Sequence, residues 1–457
     1  MRRLIEIRVK GLLGRFDHKI EFPEEDEFII LHGPNGIGKT KLLELIRALS
    51  SPLRVHNIAR IPFGSAELVY SDDCILEVVR NYQETLPLGD GLEKKTRQII
   101  LKLHQPGRSD PVRWHTNFDS EEVNTARLRD YASRYLGVEQ VGADLWESDP
   151  GDFFTTSELL EIYGDRLPPG FFRASQQRKI PPPLRNFVEG NEVHLIETQR
   201  LLGLQTSSPS HRPAKNTGAI KVEQFSKDLS RRLDEALAEN SRVSQELDRT
   251  YPERLLRAQS EFPDEQKIRA RYAEQNELRR RLAEISLLGE KSGVISIPDG
   301  MASWQKNVLW TYLQDSDKKL STFQDILDRV SLLLEIVDKR FLYKHLEVDR
   351  RRGLKVISDD DGDDGEEKRE LPLSTLSSGE QHELVILYDL LFNVRPGALV
   401  LIDEPEISLH VSWQKGFIDD LRRIASLVKF RSIVATHSPQ IAGKWIDRMI
   451  SLAPDAE

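Results

Sequence analysis

The stretch Gly33-Pro34-Asn35-Gly36-Ile37-Gly38-Lys39-Thr40 decides the reading of this chain. It satisfies the G-x-x-x-x-G-K-[ST] pattern, and its surroundings agree with it. Glu27-Phe28-Ile29-Ile30-Leu31 before it reads as a buried strand, and Lys41–Leu49 after it carries leucines at helical spacing. Strand, glycine loop and helix in that order form a phosphate cradle. Glycine lets successive backbone N–H groups converge on one anion, and the helix N-terminus adds positive potential. Lys39 then supplies a mobile charge to the β- and γ-phosphates, and the Thr40 hydroxyl ligates Mg²⁺. Gly33, Pro34, Asn35, Gly36, Ile37, Gly38, Lys39 and Thr40 are therefore the nucleotide-binding residues, with ATP and Mg²⁺ as the implied cofactors.

Composition sets the frame around this loop. The 457 residues predict about three structural units. With 39% hydrophobic and 30% charged residues and no apolar window of bilayer length, a membrane-spanning protein is excluded. Cys74 is the single cysteine and cannot form an intramolecular disulfide, which fits a cytoplasmic location. The net charge of −9, from 65 basic against 74 acidic residues, excludes a uniformly basic nucleic-acid coat. Part of the acid excess lies in Asp359-Asp360-Asp361-Gly362-Asp363-Asp364-Gly365-Glu366-Glu367, too repulsive and glycine-rich to pack and so expected as a solvated loop.

The last hundred residues carry the remaining chemistry. Ala398-Leu399-Val400-Leu401-Ile402 is an apolar strand ending in Asp403-Glu404-Pro405, which puts two carboxylates at the edge where α/β sheets bind ligands. Asp403 is expected to hold magnesium, mostly through water, and Glu404 to polarise the water that attacks the γ-phosphate. Arg431–Thr436 is a further buried strand and ends in His437-Ser438-Pro439. Leu376-Ser377-Ser378-Gly379-Glu380-Gln381 precedes the helical run His382–Phe392, a second helix N-terminus capped by serines.

In this order the motifs resemble an ABC-type ATPase head of the SMC and RecF kind. The resemblance implies an α/β P-loop fold assembled from N- and C-terminal lobes, with Leu376–Gln381 as the signature motif. It implies that Ser377, Ser378 and Gly379 cap the nucleotide of another copy, which makes a homodimer or higher homo-oligomer part of the mechanism. His437 falls at the switch histidine that contacts the γ-phosphate, Glu406-Ile407-Ser408-Leu409-His410 at the D-loop, and Gln199 at the Q-loop glutamine that touches magnesium. Catalysis is thus assigned to Glu404, Lys39 and His437, and the metal to Thr40, Gln199 and Asp403. Ser378 departs from the family, which has glycine there. Within the superfamily, Ser377–Leu384 and Asp403–His410 most resemble OLD-like bacterial anti-phage ATPases of the Septu and PARIS type. The expected function is a nucleotide-dimerising ATPase that senses a phage trigger or controls a separate effector nuclease. No C-terminal Toprim nuclease follows His437, so this chain is expected not to cut nucleic acid. The alternative is a RecF- or SMC-like repair ATPase that binds DNA directly.

Three parts are expected: an N-terminal ATPase lobe at 1–206, a helical insertion at 207–344, and a C-terminal lobe at 345–457. In the insertion, Val222, Phe225, Leu229, Leu233, Leu237, Val243 and Leu247 mark a helix from about Ile220 to Asp248, and Asp264–Leu288 and Trp304–Phe341 repeat the pattern. Pro252 and Pro263 should interrupt it, giving a short antiparallel helical arm. Val222, Phe225, Leu229, Val330, Leu333 and Val337 are the arm's candidate docking surface for a partner, although packing within the chain is the commoner fate of such a stripe. Between Ser51 and Pro182 only the strand-like runs Ala66–Tyr70, Ile75–Val79 and Gln98–Leu103 are legible.

Overall fold

The computed structural model describes residues 2–22, 27–51, 53, 57–58, 61–84, 95–117, 125–136, 138–142, 145–147, 153–155, 159, 180–197, 217–257, 263–289, 297, 300–359, 369–407 and 409–452. The chain opens with β1 (Leu4–Leu12) and β2 (Phe16–Glu21), then β3 (Phe28–His32), the glycine loop and α1 (Lys39–Ala48). Next come β4 (Ser65–Tyr70), β5 (Ile75–Glu84), β6 (Lys95–His104) and β7 (Val112–Asn117). They are followed by α2 (Thr125–Tyr131), the short strands β8 (Glu139–Gln140), β9 (Leu145–Glu147) and β10 (Phe153–Thr155), α3 (Pro182–Glu189) and β11 (Val193–Glu197). The helices α4 (Thr217–Arg257), α5 (Glu265–Glu284), α6 (Ser303–Ser321) and α7 (Gln324–Asp338) lead into β12 (Lys344–Asp349), β13 (Gly353–Ser358) and β14 (Glu370–Leu371). The chain then forms α8 (Ser378–Tyr388), β15 (Leu399–Asp403), α9 (Val411–Gln414), α10 (Phe417–Val428), β16 (Arg431–Thr436), α11 (Pro439–Ala442) and β17 (Met449–Ser451).

At the centre is a parallel sheet in the order β11-β15-β16-β3-β17, so strands more than 350 residues apart in sequence lie side by side. Its strands are apolar throughout because both faces are covered. Phe28, Ile30, Val400, Ile402 and Val434 point into one core, which also holds α4, α7, α8 and α10. Ile29, Leu31, Leu401, Ile433 and Ala435 point into the other, with α1 and the antiparallel sheet β2-β1-β4-β5-β6-β7. The period-2 alternation of each strand therefore splits the molecule into two layers, with α1 and α8 on opposite faces. The architecture is α/β, a parallel sheet covered on both faces, with an inserted helical arm.

The arm departs from the sequence expectation in two respects. First, α4 runs through Pro252 to Arg257 instead of stopping there. Proline removes only the N–H that would serve Asp248 O, and side chains reinforce the turn before it: Thr250 Oγ1 donates to Glu246 O and Leu247 O at 3.2 Å, and Arg254 Nη2 donates to Leu247 O at 2.8 Å. Second, the run expected to be continuous from Trp304 to Phe341 is two helices, because the chain tightens at Thr322 and Phe323, where Phe323 N donates to Leu320 O, and Phe323 turns into the core. The apolar stripe takes the commoner course: Val222, Leu229, Val330, Leu333 and Val337 are fully buried and Phe225 stacks on Tyr388 at 4.4 Å, so it is core and not a docking surface. Polar contacts hold the arm itself. Arg254 pairs with Asp315, Lys319 with Asp248 at 2.7 Å, and Gln275 Nε2 donates to Leu313 O at 2.8 Å.

Buried within α8 is His382, 1% exposed, with neither ring nitrogen hydrogen-bonded among the described residues. Burial, aided by the charge of Lys221, pushes its pKa down to about 4. The unfolded chain then takes up a proton at His382 before the folded one does, so stability is full above pH 6.5 and falls as pH drops toward 4. Over that window His382 contributes about 3 kcal/mol of pH-dependent stability. Urea unfolding at pH 7 and pH 5 should show a larger loss in the native protein than in His382→Leu; equal losses would remove His382 as the cause.

Candidate functional site

Parallel pairing brings the sequence motifs to one edge. In register, Glu197, Asp403, Ala435 and Leu31 are neighbours across β11, β15, β16 and β3, so all four strands end together. The glycine loop leaves this edge from β3, Glu404 follows β15 and His437 follows β16. Carboxyl ends of parallel strands are where α/β sheets bind ligands. Gly36 and Gly38 have φ of 87° and 96°, and a Cβ on Gly38 would lie 2.9 Å from the Leu12 side chain, so glycine is required there. Lys39 is buried and lies back across its own loop, its Nζ donating to Gly33 O at 2.7 Å and Pro34 O at 3.1 Å.

One hydrogen bond joins the halves of the site: Thr40 Oγ1 donates to Asp403 Oδ2 at 2.9 Å across 363 residues of sequence. A hydroxyl and a carboxylate in contact are a hard-oxygen donor pair that suits Mg²⁺, a cation usually held by one or two protein ligands with water and phosphate completing the shell. Glu404 sits at φ 45°, an uncommon value for a residue with a side chain, and its N–H donates to Ala435 O at 2.8 Å. His437 Nδ1 lies 3.7 Å from Glu404 Oε1 and 3.0 Å from Glu406 Oε1.

Glu406, read from sequence only as part of a D-loop, is an anchor. Its buried Oε1 accepts from Thr436 Oγ1 at 2.6 Å, His437 N at 2.9 Å and Ser438 N at 3.2 Å. Glu406→Ala leaves these donors unpaired and should cost about 3 kcal/mol of stability as well as turnover. Glu406→Gln keeps an acceptor of the same shape and should recover most of the melting temperature, which a thermal melt of both variants checks. His18 also supports the loop, with Nε2 3.2 Å from Ile37 O and its pKa lowered by burial. The inward alternation of β2 was its only signal in the sequence.

Ser377 is the N-cap of α8 and Ser378 its first residue, a helical position that accepts a side chain. Ser377 N donates to Glu380 Oε2 at 2.7 Å, and Glu380 N donates back to Ser377 Oγ at 3.4 Å. Lys344 Nζ reaches the same Glu380 oxygen at 2.9 Å, and Arg340 pairs with Glu383 and Asp420. Nothing in the sequence linked Lys344 or Arg340 to this helix. Ser377, Ser378 and Gly379 thus lie together at the start of α8, on the sheet face opposite α1. Gln199, Ser408 and most of the acidic run, 360–368, lie outside the described residues.

Comparison with known proteins places this site in a family. Residues 28–442 match the family model described as "AAA domain, putative AbiEii toxin, Type IV TA system", and the chain belongs to that family. It is therefore an ATP-binding, ATP-hydrolysing protein of the P-loop class. A tRNA 2-selenouridine synthase of Nitrosomonas eutropha is 25% identical over 242 residues, 52% of this chain and 54% of that protein. The chain spans about half the length of that curated relative. Among solved structures, an Smc head domain with an extended coiled coil bound to the C-terminal domain of ScpA, from Pyrococcus furiosus, is 14% identical. That match covers 99% of this chain and 93% of the other, at a TM-score of 0.35. An SMC head domain from Thermotoga maritima is 11% identical over 98% of this chain and 94% of the other, at a TM-score of 0.32. Among the described residues, no helix is long and apolar enough to cross a membrane.

Proposed function

We propose that this protein is a Mg²⁺-dependent ATPase that dimerises on ATP and uses the nucleotide cycle to sense a phage trigger and control a separately encoded effector nuclease. The observation that carries the ATPase reading is the Thr40–Asp403 hydrogen bond, which sets a P-loop hydroxyl beside a strand-end carboxylate at 2.9 Å. In this reading residues 33–40 hold the phosphates, and Thr40 and Asp403 hold the magnesium, with Gln199 as a further ligand. Magnesium, when bound, neutralises charge on the β- and γ-phosphates. Glu404 accepts a proton from the attacking water, and His437, steadied by Glu406, reads the γ-phosphate.

The placement of α1 and α8 on opposite sheet faces supports capping in trans, since a signature at the start of α8 then serves a nucleotide held by another copy. The division into lobes at 1–206 and 345–457, with an insertion at 207–344, belongs to the same proposal. The family's description as a toxin component supports a role in defence. The test is molar mass with and without ATP and Mg²⁺: doubling on nucleotide supports the reading, and a constant monomer overturns it.

A further inference from the structure

A cleft of about 910 Å³ opens between α7 and α10, with Arg281 in the last turn of α5 and Trp445, between α11 and β17, also lining it. That volume lies within the range of pockets that hold small organic ligands. The floor is apolar, made by Phe28, Leu332, Leu427 and Trp445 against the core. Phe28 opens β3 and Arg448 immediately precedes β17, so the cleft lies at the amino edge of the parallel sheet. The glycine loop leaves the other end of β3, a strand length of about 15 Å away.

Two arginines of the cleft keep their donors unspent. The Arg422 guanidinium lies 4.4 Å from the centre of the Trp445 ring, which packs edge-on against Phe28 at 5.5 Å. Stacking holds Arg422 in place, yet among the described residues it makes no hydrogen bond or ion pair. On the α7 side, the one hydrogen bond of Arg281 among the described residues is a long one, Nη2 to Ser331 Oγ at 3.5 Å. The other charges differ. Arg423 pairs with Glu335, which also takes Lys339 at 2.6 Å. Asp419 accepts from Trp445 Nε1 at 3.1 Å and pairs with Lys444 at 3.0 Å. Glu27 and Asp328 have no cationic partner among the described residues, and Asp328 accepts only from the Gln324 amide at 2.9 Å.

We propose that this cleft binds a nucleotide, as a site separate from the glycine loop. Arg422 and Arg281 hold the phosphate through their N–H edges, the geometry in which guanidinium groups grip phosphate most firmly. The floor of Leu332, Leu427 and Trp445 takes the flat base. Glu27 and Asp328, which accept hydrogen bonds and repel anions, face the ribose hydroxyls and the amino groups of the base. This mixture of charge suits a ligand that is anionic at one end and a donor at the other. A long strand would carry further phosphates past both carboxylates. The proposal does not rest on capping in trans.

Titration calorimetry of the full-length protein with AMP, GMP, CMP and UMP, each alone, is the test. At least one should bind, with its affinity kept in Lys39→Ala and weakened about tenfold or more in Arg422→Gln and in Arg281→Gln. Both arginine variants should melt close to the native protein, since neither side chain makes a short hydrogen bond there. Binding by none of the four overturns the proposal, as does binding that is lost in Lys39→Ala and kept in the arginine variants. Inorganic phosphate and a single-stranded DNA oligomer complete the series. Phosphate binding as tightly as the nucleotide shows an anion site with no place for a base, and an oligomer binding far more tightly than any monomer assigns the cleft to a strand; either result overturns the nucleotide.

Discussion

Glu404→Gln protein is expected to bind ATP and fail to turn it over, with a hydrolysis rate about 10²–10⁴-fold below that of the native enzyme. The amide is isosteric with the carboxylate, so the 45° φ at this position and the N–H bond to Ala435 O are kept. In the proposed mechanism this removes the base that accepts a proton from water, together with a negative charge near the γ-phosphate, so affinity for ATP should hold or improve. Lys39→Ala should behave differently. In the proposed mechanism its ammonium serves the phosphates in the ground state as well as the transition state, so both binding and turnover should weaken. Equilibrium binding of ATP and single-turnover hydrolysis separate the two cases. Native turnover in Glu404→Gln would remove this residue from the role of base.

Where these residues stand in the fold was legible because local sequence dictates local structure. The glycines that φ values of 87° and 96° require, the apolar strand ahead of them and the amphipathic helix behind them lie within about twenty residues. The same holds for Asp403 and Glu404 at the end of β15 and His437 at the end of β16. Tertiary assembly was less legible. The strand-like runs between residues 66 and 103 were visible, but their union with β1 and β2 in one six-stranded sheet depends on pairings that no local pattern encodes. The stripe Val222, Phe225, Leu229 has the same spacing whether it faces a partner or its own core, and it faces its own core. The proline rule failed at Pro252, where the helix runs on while Thr250 and Arg254 brace the preceding turn and Arg254 pairs with Asp315 across the arm. Lys344 and Glu380, 36 residues apart, meet only in the folded chain.

The sharpest consequence of the two-faced sheet appears when two inactive proteins are mixed. Lys39→Ala loses the P-loop charge and keeps the signature, whereas Gly379→Asp keeps the P-loop and sets a negative charge at the start of α8, the end proposed to meet the partner's phosphates. Each alone should be inactive, because every composite site in either homodimer carries the lesion. In a mixed dimer, one site combines both lesions and the other combines the intact P-loop of one copy with the intact signature of its partner. Equal mixing by random assortment makes half the dimers mixed, with one good site of two, so about one quarter of native turnover should return if the sites act independently. A capping contact made within one chain predicts no recovery at any mixing ratio. The measurement is steady-state ATP hydrolysis across a titration of one variant into the other, with mixed dimers verified by two distinguishable tags. Recovery peaking at equal proportions supports capping in trans, while silence across the titration, with mixed dimers present, assigns each signature to the nucleotide of its own chain.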